Sequence, residues 1–208
     1  MKTAFLSVSL LLFACLNVTA QTTPTATDIL TNYIKAIGGQ QALLNVRDIA
    51  SQATMALGNA AMQVAIKKKA PRQATTVVTN PKGEILFQQV SDGKRIAEGP
   101  PQKIVVVTNS FVPVRLINES LFPELLYTEA GVKSAYAGKE TVNGKEVHKL
   151  THALADGSSW STFFDVATGL KVQVVTPVAT GQDIMQLADY RDVGGVKFPF
   201  SVKLASGP

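Results

Sequence analysis

The sequence predicts a mainly β fold of the α+β class, in which a meandering antiparallel sheet is accompanied by few helices. From Ile49 onward apolar and polar residues largely alternate, which is the period of a half-buried strand. Turn sequences recur between these stretches, as they do in hairpins. They are Gly58-Asn59, residues 80–83, Asp92-Gly93, Asn143-Gly144, Asp156-Gly157, Thr168-Gly169 and Gly194-Gly195. An amphipathic helix precedes the sheet, and a short helical insertion interrupts it.

The first helix is predicted from its start signal, its apolar stripe and its stop signal. Thr25 and Asp28 have the spacing of a capping box, and Asp28 also suits the positive end of the helix dipole. Gly38-Gly39 ends the pattern. A second, short helix is expected over residues 40–46. The apolar stripe of the first helix consists of Ile29, Leu30, Tyr33, Ile34 and Ile37.

The register of the first hairpin follows from its turn. A two-residue turn at Gly58-Asn59 places Met55 opposite Met62 and Ala53 opposite Val64. It also sets Leu57 opposite Ala60, and Ser51 opposite Ile66. Apolar residues then collect on one face of the pair, which supports a strand assignment for both segments.

The last hairpin has a strictly alternating strand, in which Val196, Phe198, Phe200 and Val202 share one face. We expect a three-residue loop from Val193, with Tyr190 opposite Phe198 and Ala188 opposite Phe200. A two-residue Gly194-Gly195 turn would put Arg191 opposite Phe198 instead. Pro199 lacks an N–H, so this strand is expected at a sheet edge or at a bulge.

The insertion between strands covers residues 111–130 and contains Pro113 and Pro123. Its apolar residues have helical spacing, which predicts one or two short helices that form a lid. We call residues 112–130 the lid segment. The apolar lid residues are Leu121, Phe122, Leu125 and Leu126.

The N-terminus has the pattern of a secretory signal peptide over residues 1–20, with Lys2, an apolar run and a small-residue cleavage site at Val18-Thr19-Ala20. A polar linker (21–24) and a single domain (25–208) follow. The only cysteine, Cys15, leaves a second interpretation open, because Leu12-Phe13-Ala14-Cys15 resembles a lipobox. Simple cleavage is favoured, since Phe13 is bulky for that motif. Export to the periplasm is expected, with an outer-membrane lipoprotein as the alternative.

Residue patterns for catalysis or metal binding are weak. His148 and His152 are four residues apart, but on a strand that spacing separates them by about 13 Å. Asp92, Asp156 and Asp192 lie at glycine turns, where turn formation explains them. The stretches 157–161 and 137–141 fail the nucleophile-elbow and phosphate-loop patterns, respectively. We therefore expect no catalytic residues, no metal and no cofactor.

A basic cluster, Lys67-Lys68-Lys69 with Arg72, lies at a predicted hairpin end. A solvated turn is the first interpretation, and contact with anionic lipid or an acidic partner is the second. Nucleic-acid binding is not expected, because the cluster has no interleaved aromatic residues.

Five stretches resemble bacterial outer-membrane lipoprotein-sorting proteins, including relatives appended to zinc peptidases. They are YIKAIGGQQAL (33–43), FPELLY (122–127), GKETVNGKEVHKL (138–150), FFDVATGLKV (163–172) and YRDVGGVKFPF (190–200). The resemblance implies an unclosed antiparallel barrel, or half-barrel, whose concave apolar face receives acyl chains. It also implies further strands after residue 200, so the domain is expected to be truncated at its C-terminus or open at one edge. A lid-holding arginine, which the best-known carriers have, is not placed by any motif here.

The resulting hypothesis is a monomeric, non-enzymatic carrier that binds a lipid or the acyl chains of a lipoprotein. A membrane surface or an envelope protein is its expected delivery partner. The alternative is an envelope interaction domain with a filled core, for example a module associated with a zinc peptidase. The predicted cavity lining is Met55, Leu57, Met62, Val64, Ile66, Phe198 and Phe200.

Overall fold

The computed structural model describes residues 23–57, 59–178 and 181–207. The predicted signal peptide, Cys15 and Gly58 of the first turn lie outside these residues. Three α-helices and one 3-10 helix are described: α1 (Ala26–Ala36), α2 (Gln40–Asn45), α3 (Val112–Asn118) and the 3-10 helix Pro123–Leu126. The strands are β1 (Asp48–Leu57), β2 (Ala60–Lys69), β3 (Gln73–Thr79), β4 (Ile85–Ser91), β5 (Ile96–Gly99), β6 (Val105–Val106), β7 (Lys133–Val142), β8 (Lys145–Ala153), β9 (Ser159–Asp165), β10 (Lys171–Val178), β11 (Gly181–Val193) and β12 (Val196–Gly207).

Helix α1 begins and ends at the predicted signals. The Thr25 hydroxyl accepts a hydrogen bond from the Asp28 backbone N–H at 3.1 Å, and the Asp28 carboxylate accepts from the Thr25 N–H at 2.9 Å. Gly38 follows the helix at φ 134°, and a Cβ there would lie 2.5 Å from the Gly195 carbonyl oxygen. Glycine is therefore required where the end of α1 meets the turn between β11 and β12.

The strands form two six-stranded antiparallel sheets, so the predicted mainly β, unclosed α+β class is confirmed. Strands β1 to β6 pair in sequence order in the N-terminal sheet, and β12 to β7 do so in the C-terminal sheet. All seven predicted turn sequences fall between consecutive paired strands. The lid segment connects the two sheets, and its two short helices match the predicted insertion.

The first hairpin has the predicted register, with Met55 opposite Met62 and Ala53 opposite Val64. The prediction for the last hairpin is wrong, because Arg191 rather than Tyr190 lies opposite Phe198. Gly194 and Gly195 both have positive φ, 64° and 86°, so two residues suffice for the turn and no third is needed. Strand β12 is a sheet edge, as Pro199 predicted.

The helices pack on the C-terminal sheet in two apolar clusters. The first cluster joins α1 and α2 to β8, β9 and β12. The second joins α3 and Tyr127 to β9 and β10. Neither cluster includes a residue of the N-terminal sheet. The buried members are Ile29, Tyr33, Ile37, Leu43, Leu150, Phe164 and Val196 in the first cluster, and Val114, Ile117, Tyr127, Trp160 and Val174 in the second.

No helix among the described residues combines the length and apolar character that crossing a bilayer needs.

Candidate binding surface between the N-terminal sheet and the lid

The N-terminal sheet turns one face toward the lid segment, and the strand register identifies that face. Lys68, Gln89 and Glu98 all bond to lid residues, so the residues that alternate with them also face the lid. On β2 these are Ile66, Val64 and Met62. We call this surface the inner face. Its further members by register are Ile49, Met55, Thr76, Val78 and Phe87.

Much of the inner face is only partly covered. Met62 is buried, whereas Met55, Val64 and Ile66 are half-buried, and none of the four belongs to either apolar cluster. Leu57 pairs with Ala60 through the backbone, and its side chain lies outside the described part of the structure. Apolar side chains that a core would cover are therefore left half-accessible on the face of the sheet that turns toward the lid.

The two predicted phenylalanines lie on the other sheet and differ from each other. Phe198 packs against the first apolar cluster, and its ring centroid lies 6.1 Å from that of the lid residue Phe122. Phe200, two residues further along β12, is 54 % exposed. The guanidinium of Arg191 lies 4.8 Å from its ring centroid. The alternating face of β12 thus begins in the core and continues as an exposed apolar stripe through Val202 to Leu204.

Charged side chains attach α3 to the N-terminal sheet. The Arg115 guanidinium forms a two-pronged ion pair with the Glu98 carboxylate and donates a hydrogen bond to Gln89 Oε1 at 2.9 Å. Gln89 in turn donates to the Glu119 carboxylate at 2.5 Å. At the other end of the lid, Glu129 pairs with Arg72 at 2.9 Å.

Lys68 also attaches the lid to the N-terminal sheet. The basic cluster is predicted to be a solvated turn, and Lys68 differs from that prediction because its side chain is partly buried. Its ammonium donates to the backbone carbonyls of Asn118 at 3.0 Å and of Ser120 at 3.4 Å. Lys67 and Lys69 are exposed. Burial lowers the pKa of Lys68, and the charge of Glu119 partly offsets that effect.

The lid segment contacts the C-terminal sheet through apolar side chains. Val114, Ile117 and Tyr127 are buried members of the second cluster, together with Trp160. Phe122 and Leu125 pack against the first cluster. The lid is therefore joined to the C-terminal sheet by apolar packing and to the N-terminal sheet by polar contacts. Leu121 and Leu126, the other predicted lid residues, are half-buried.

One buried ion pair accompanies this packing. Lys171 of β10 lies 2.5 Å from the carboxylate of Glu124, and the two side chains are 12 % and 3 % exposed. The ammonium also lies 5.2 Å from the ring centroid of Tyr33 on α1. The pair fixes the 3-10 helix to β10 and α1.

The two histidines lie on β8, as the strand prediction required, and their ring nitrogens have different partners. His152 is fully buried, with Ser134 Oγ 2.8 Å from Nδ1 and Thr162 Oγ1 2.7 Å from Nε2. Burial and the charge of Lys171 lower its pKa to about 3, so it is neutral at pH 7. Among residues 23–57, 59–178 and 181–207, no group of three His, Cys, Asp or Glu side chains could hold a metal ion.

An open depression of about 530 Å³ lies at one end of the N-terminal sheet. Its lining includes Lys67, Lys69 and Thr75, which the register places on the face opposite the lid, and also Ile49, Lys68 and Ala74, which alternate with them. None of the seven predicted cavity residues lines it. The depression therefore borders the Lys68 end of the inner face.

Three solved structures share this fold over most of the chain. A LolA superfamily protein from Nitrosomonas europaea superposes with a TM-score of 0.59 at 10 % identity, over 89 % of this chain and 87 % of the other. A DUF1329 family protein from Desulfovibrio piger gives 0.55 at 10 % identity, over 88 % and 87 %.

A domain named for outer membrane lipoprotein sorting, from Vibrio parahaemolyticus, gives a TM-score of 0.54 at 12 % identity, over 85 % of this chain and 84 % of the other. The sequence matches no protein-family model. It also matches no curated protein. At these identities the likeness shows the fold, which agrees with the resemblance seen in the sequence.

Proposed function

We propose that the protein is a non-enzymatic carrier that binds a lipid, or the acyl chain of a lipoprotein, between the inner face and the lid. The observation that carries this proposal is the half-buried inner face, which lies outside both apolar clusters. Burying an acyl chain there stabilises the complex by roughly 0.8 kcal/mol per CH₂. The proposed lining remains Met55, Leu57, Met62, Val64 and Ile66, with Phe198 and Phe200 at the edge strand.

Loading and release of the ligand require the lid to separate from one sheet. The contacts favour separation from the N-terminal sheet. Ion pairs and hydrogen bonds at that interface exchange with water at little net cost. Separation from the C-terminal sheet would expose the apolar side chains around Trp160. We infer that the lid stays on the C-terminal sheet while the N-terminal sheet moves.

The fold of the lipoprotein-sorting domain and the predicted signal peptide support a periplasmic location. A monomer that meets its donor and acceptor at membrane surfaces or envelope proteins fits this role. The alternative, an interaction domain with a filled core, predicts no uptake of apolar ligands.

Uptake of the neutral fluorophore N-phenyl-1-naphthylamine tests the proposal. Wild-type protein is expected to bind it with blue-shifted emission, and Val64→Asp is expected to weaken binding at least tenfold, because a carboxylate would be placed on the inner face. Gln63→Asp is the matched control, since Gln63 is exposed on the opposite face of the same strand. No uptake by the wild type, or equal uptake by both variants, would contradict the proposal.

A further inference from the structure

We propose that Lys68 and Ser120 bind the anionic headgroup of the carried lipid, so that the ligand is a negatively charged amphiphile. This inference rests on the proposed function, because it places the headgroup at the end of the apolar inner face. It goes beyond that function by assigning two recognition residues and a charge to the ligand.

The first observation is a partly buried ammonium that has no carboxylate partner. Lys68 Nζ bonds to the carbonyls of Asn118 and Ser120, and no ion pair joins it to a carboxylate among the described residues. Glu119 and Glu124 act on it only through longer-range attraction. A buried positive charge without a counterion is costly, and a bound anion removes that cost.

The second observation is unused hydrogen-bonding capacity beside that charge. An ammonium has three N–H donors, and the two carbonyls accept from two of them. The hydroxyl of Ser120 is buried and has no hydrogen-bond partner within the described structure. One N–H of Lys68 and the O–H of Ser120 therefore lack a partner within the described structure, and we assign both to an anionic oxygen of the ligand.

The position of Lys68 links this polar site to the apolar surface. Lys68, Ile66, Val64 and Met62 alternate along one face of β2, and each step of two residues covers about 7 Å. An acyl chain can lie on the last three with its headgroup at Lys68, and the charge of Lys68 favours this direction for an anionic headgroup. The exposed Lys67 and Lys69 lie on the opposite face and are not part of this site.

The test compares two ligands that differ only in a phosphate, 1-oleoyl-lysophosphatidic acid and 1-monoolein, by displacement of N-phenyl-1-naphthylamine. Wild-type protein is expected to bind the phosphate ligand at least tenfold more tightly. Lys68→Met should abolish that preference, whereas Lys69→Met, the matched control, and Lys68→Arg should retain it. Ser120→Ala should reduce the preference for the phosphate ligand. This variant is used for the test if Lys68→Met does not fold.

Equal affinity of the wild type for both ligands would overturn the headgroup site and leave the carrier proposal standing. If Lys68→Met keeps the full preference for lysophosphatidic acid over monoolein, the site is also overturned. If Lys68→Met does not fold, the same result in Ser120→Ala overturns it. Failure of both ligands to bind would overturn the two proposals together. Inorganic phosphate is added as a separate competitor. If millimolar phosphate alone displaces the lysophosphatidic acid, the site recognises free phosphate, and the assignment to a lipid headgroup is wrong.

Discussion

Lys171 Nζ lies 2.5 Å from Glu124 Oε1, and this buried pair joins the 3-10 helix of the lid to strand β10. Removing one partner leaves an uncompensated charge in the apolar interior. Lys171→Met is therefore expected to lower the free energy of unfolding by about 3–5 kcal/mol in urea denaturation. The double variant with Glu124→Leu should recover much of that loss. Lys139→Met, at an exposed ion pair with Glu146, is the control and should cost at most about 1 kcal/mol.

The buried His152 predicts an acid-sensitive fold. The unfolded chain takes up a proton at this imidazole near pH 6.5, whereas the folded protein does so only near pH 3, because burial and Lys171 disfavour the charged ring. Between these values the unfolded state binds more protons. The free energy of unfolding should therefore fall by roughly 1.4 kcal/mol for each unit that the pH drops from about 6.5 toward 3.

Urea unfolding at pH 7, 6, 5 and 4 measures this slope. His152→Gln should flatten it relative to wild type, while His148→Gln should alter it less, because His148 is half-exposed. The same slope in His152→Gln and wild type would show that other groups cause the acid sensitivity.

Alanine substitutions at Phe198 and Phe200 should have different effects, the first mainly on stability and the second mainly on ligand binding. Phe198→Ala removes a ring that packs on Phe122 and the first cluster, so a loss of about 3 kcal/mol in the free energy of unfolding is expected. Phe200→Ala should change stability by less than about 1 kcal/mol, since that ring is 54 % exposed. If Phe200 belongs to the ligand surface, Phe200→Ala should nevertheless bind N-phenyl-1-naphthylamine more weakly than the wild type does. Unaltered binding would remove Phe200 from the lining.

Trp160 reports which side of the lid opens. It is the only tryptophan in the chain, and it is buried beneath α3 in the second cluster. If the lid stays on the C-terminal sheet, acrylamide quenching of its fluorescence should be unchanged when 1-monoolein is added. A several-fold rise in quenching on ligand addition would mean that α3 lifts away from Trp160, contrary to the inferred opening at the N-terminal sheet.

Local patterns predicted most of the fold. The capping box at Thr25 and Asp28, the two-residue turn after Leu57 and the turn sequences elsewhere each act within a few residues, so they can be read without the tertiary structure. The last hairpin is predicted wrongly because a glycine suits the left-handed position of a three-residue loop as well as it suits a two-residue turn. Tyr190 packs against the first cluster, and its hydroxyl donates to the Lys171 carbonyl at 2.7 Å.

The polar attachments of the lid were not predicted, because their partners are far apart in the chain. Arg115 pairs with Glu98, which precedes it by 17 residues, and Lys68 bonds to a carbonyl 50 residues later. The inward orientation of Lys68 could nevertheless have been predicted from the sequence. It shares the alternation of Ile66, so the register that turns Ile66 inward also turns the middle lysine of the basic cluster inward.

The proposed lipid site lies between the inner face and the lid. Its most direct test is native mass spectrometry, with organic extraction, of the protein expressed with residues 1–20, the predicted signal peptide, and purified from the periplasmic fraction without detergent. A stoichiometric lipid or acyl adduct is expected, which Val64→Asp should lose and Gln63→Asp should keep. A bare polypeptide mass that also stays unchanged after incubation with phospholipid and lipopeptide would contradict it and favour a filled-core interaction domain.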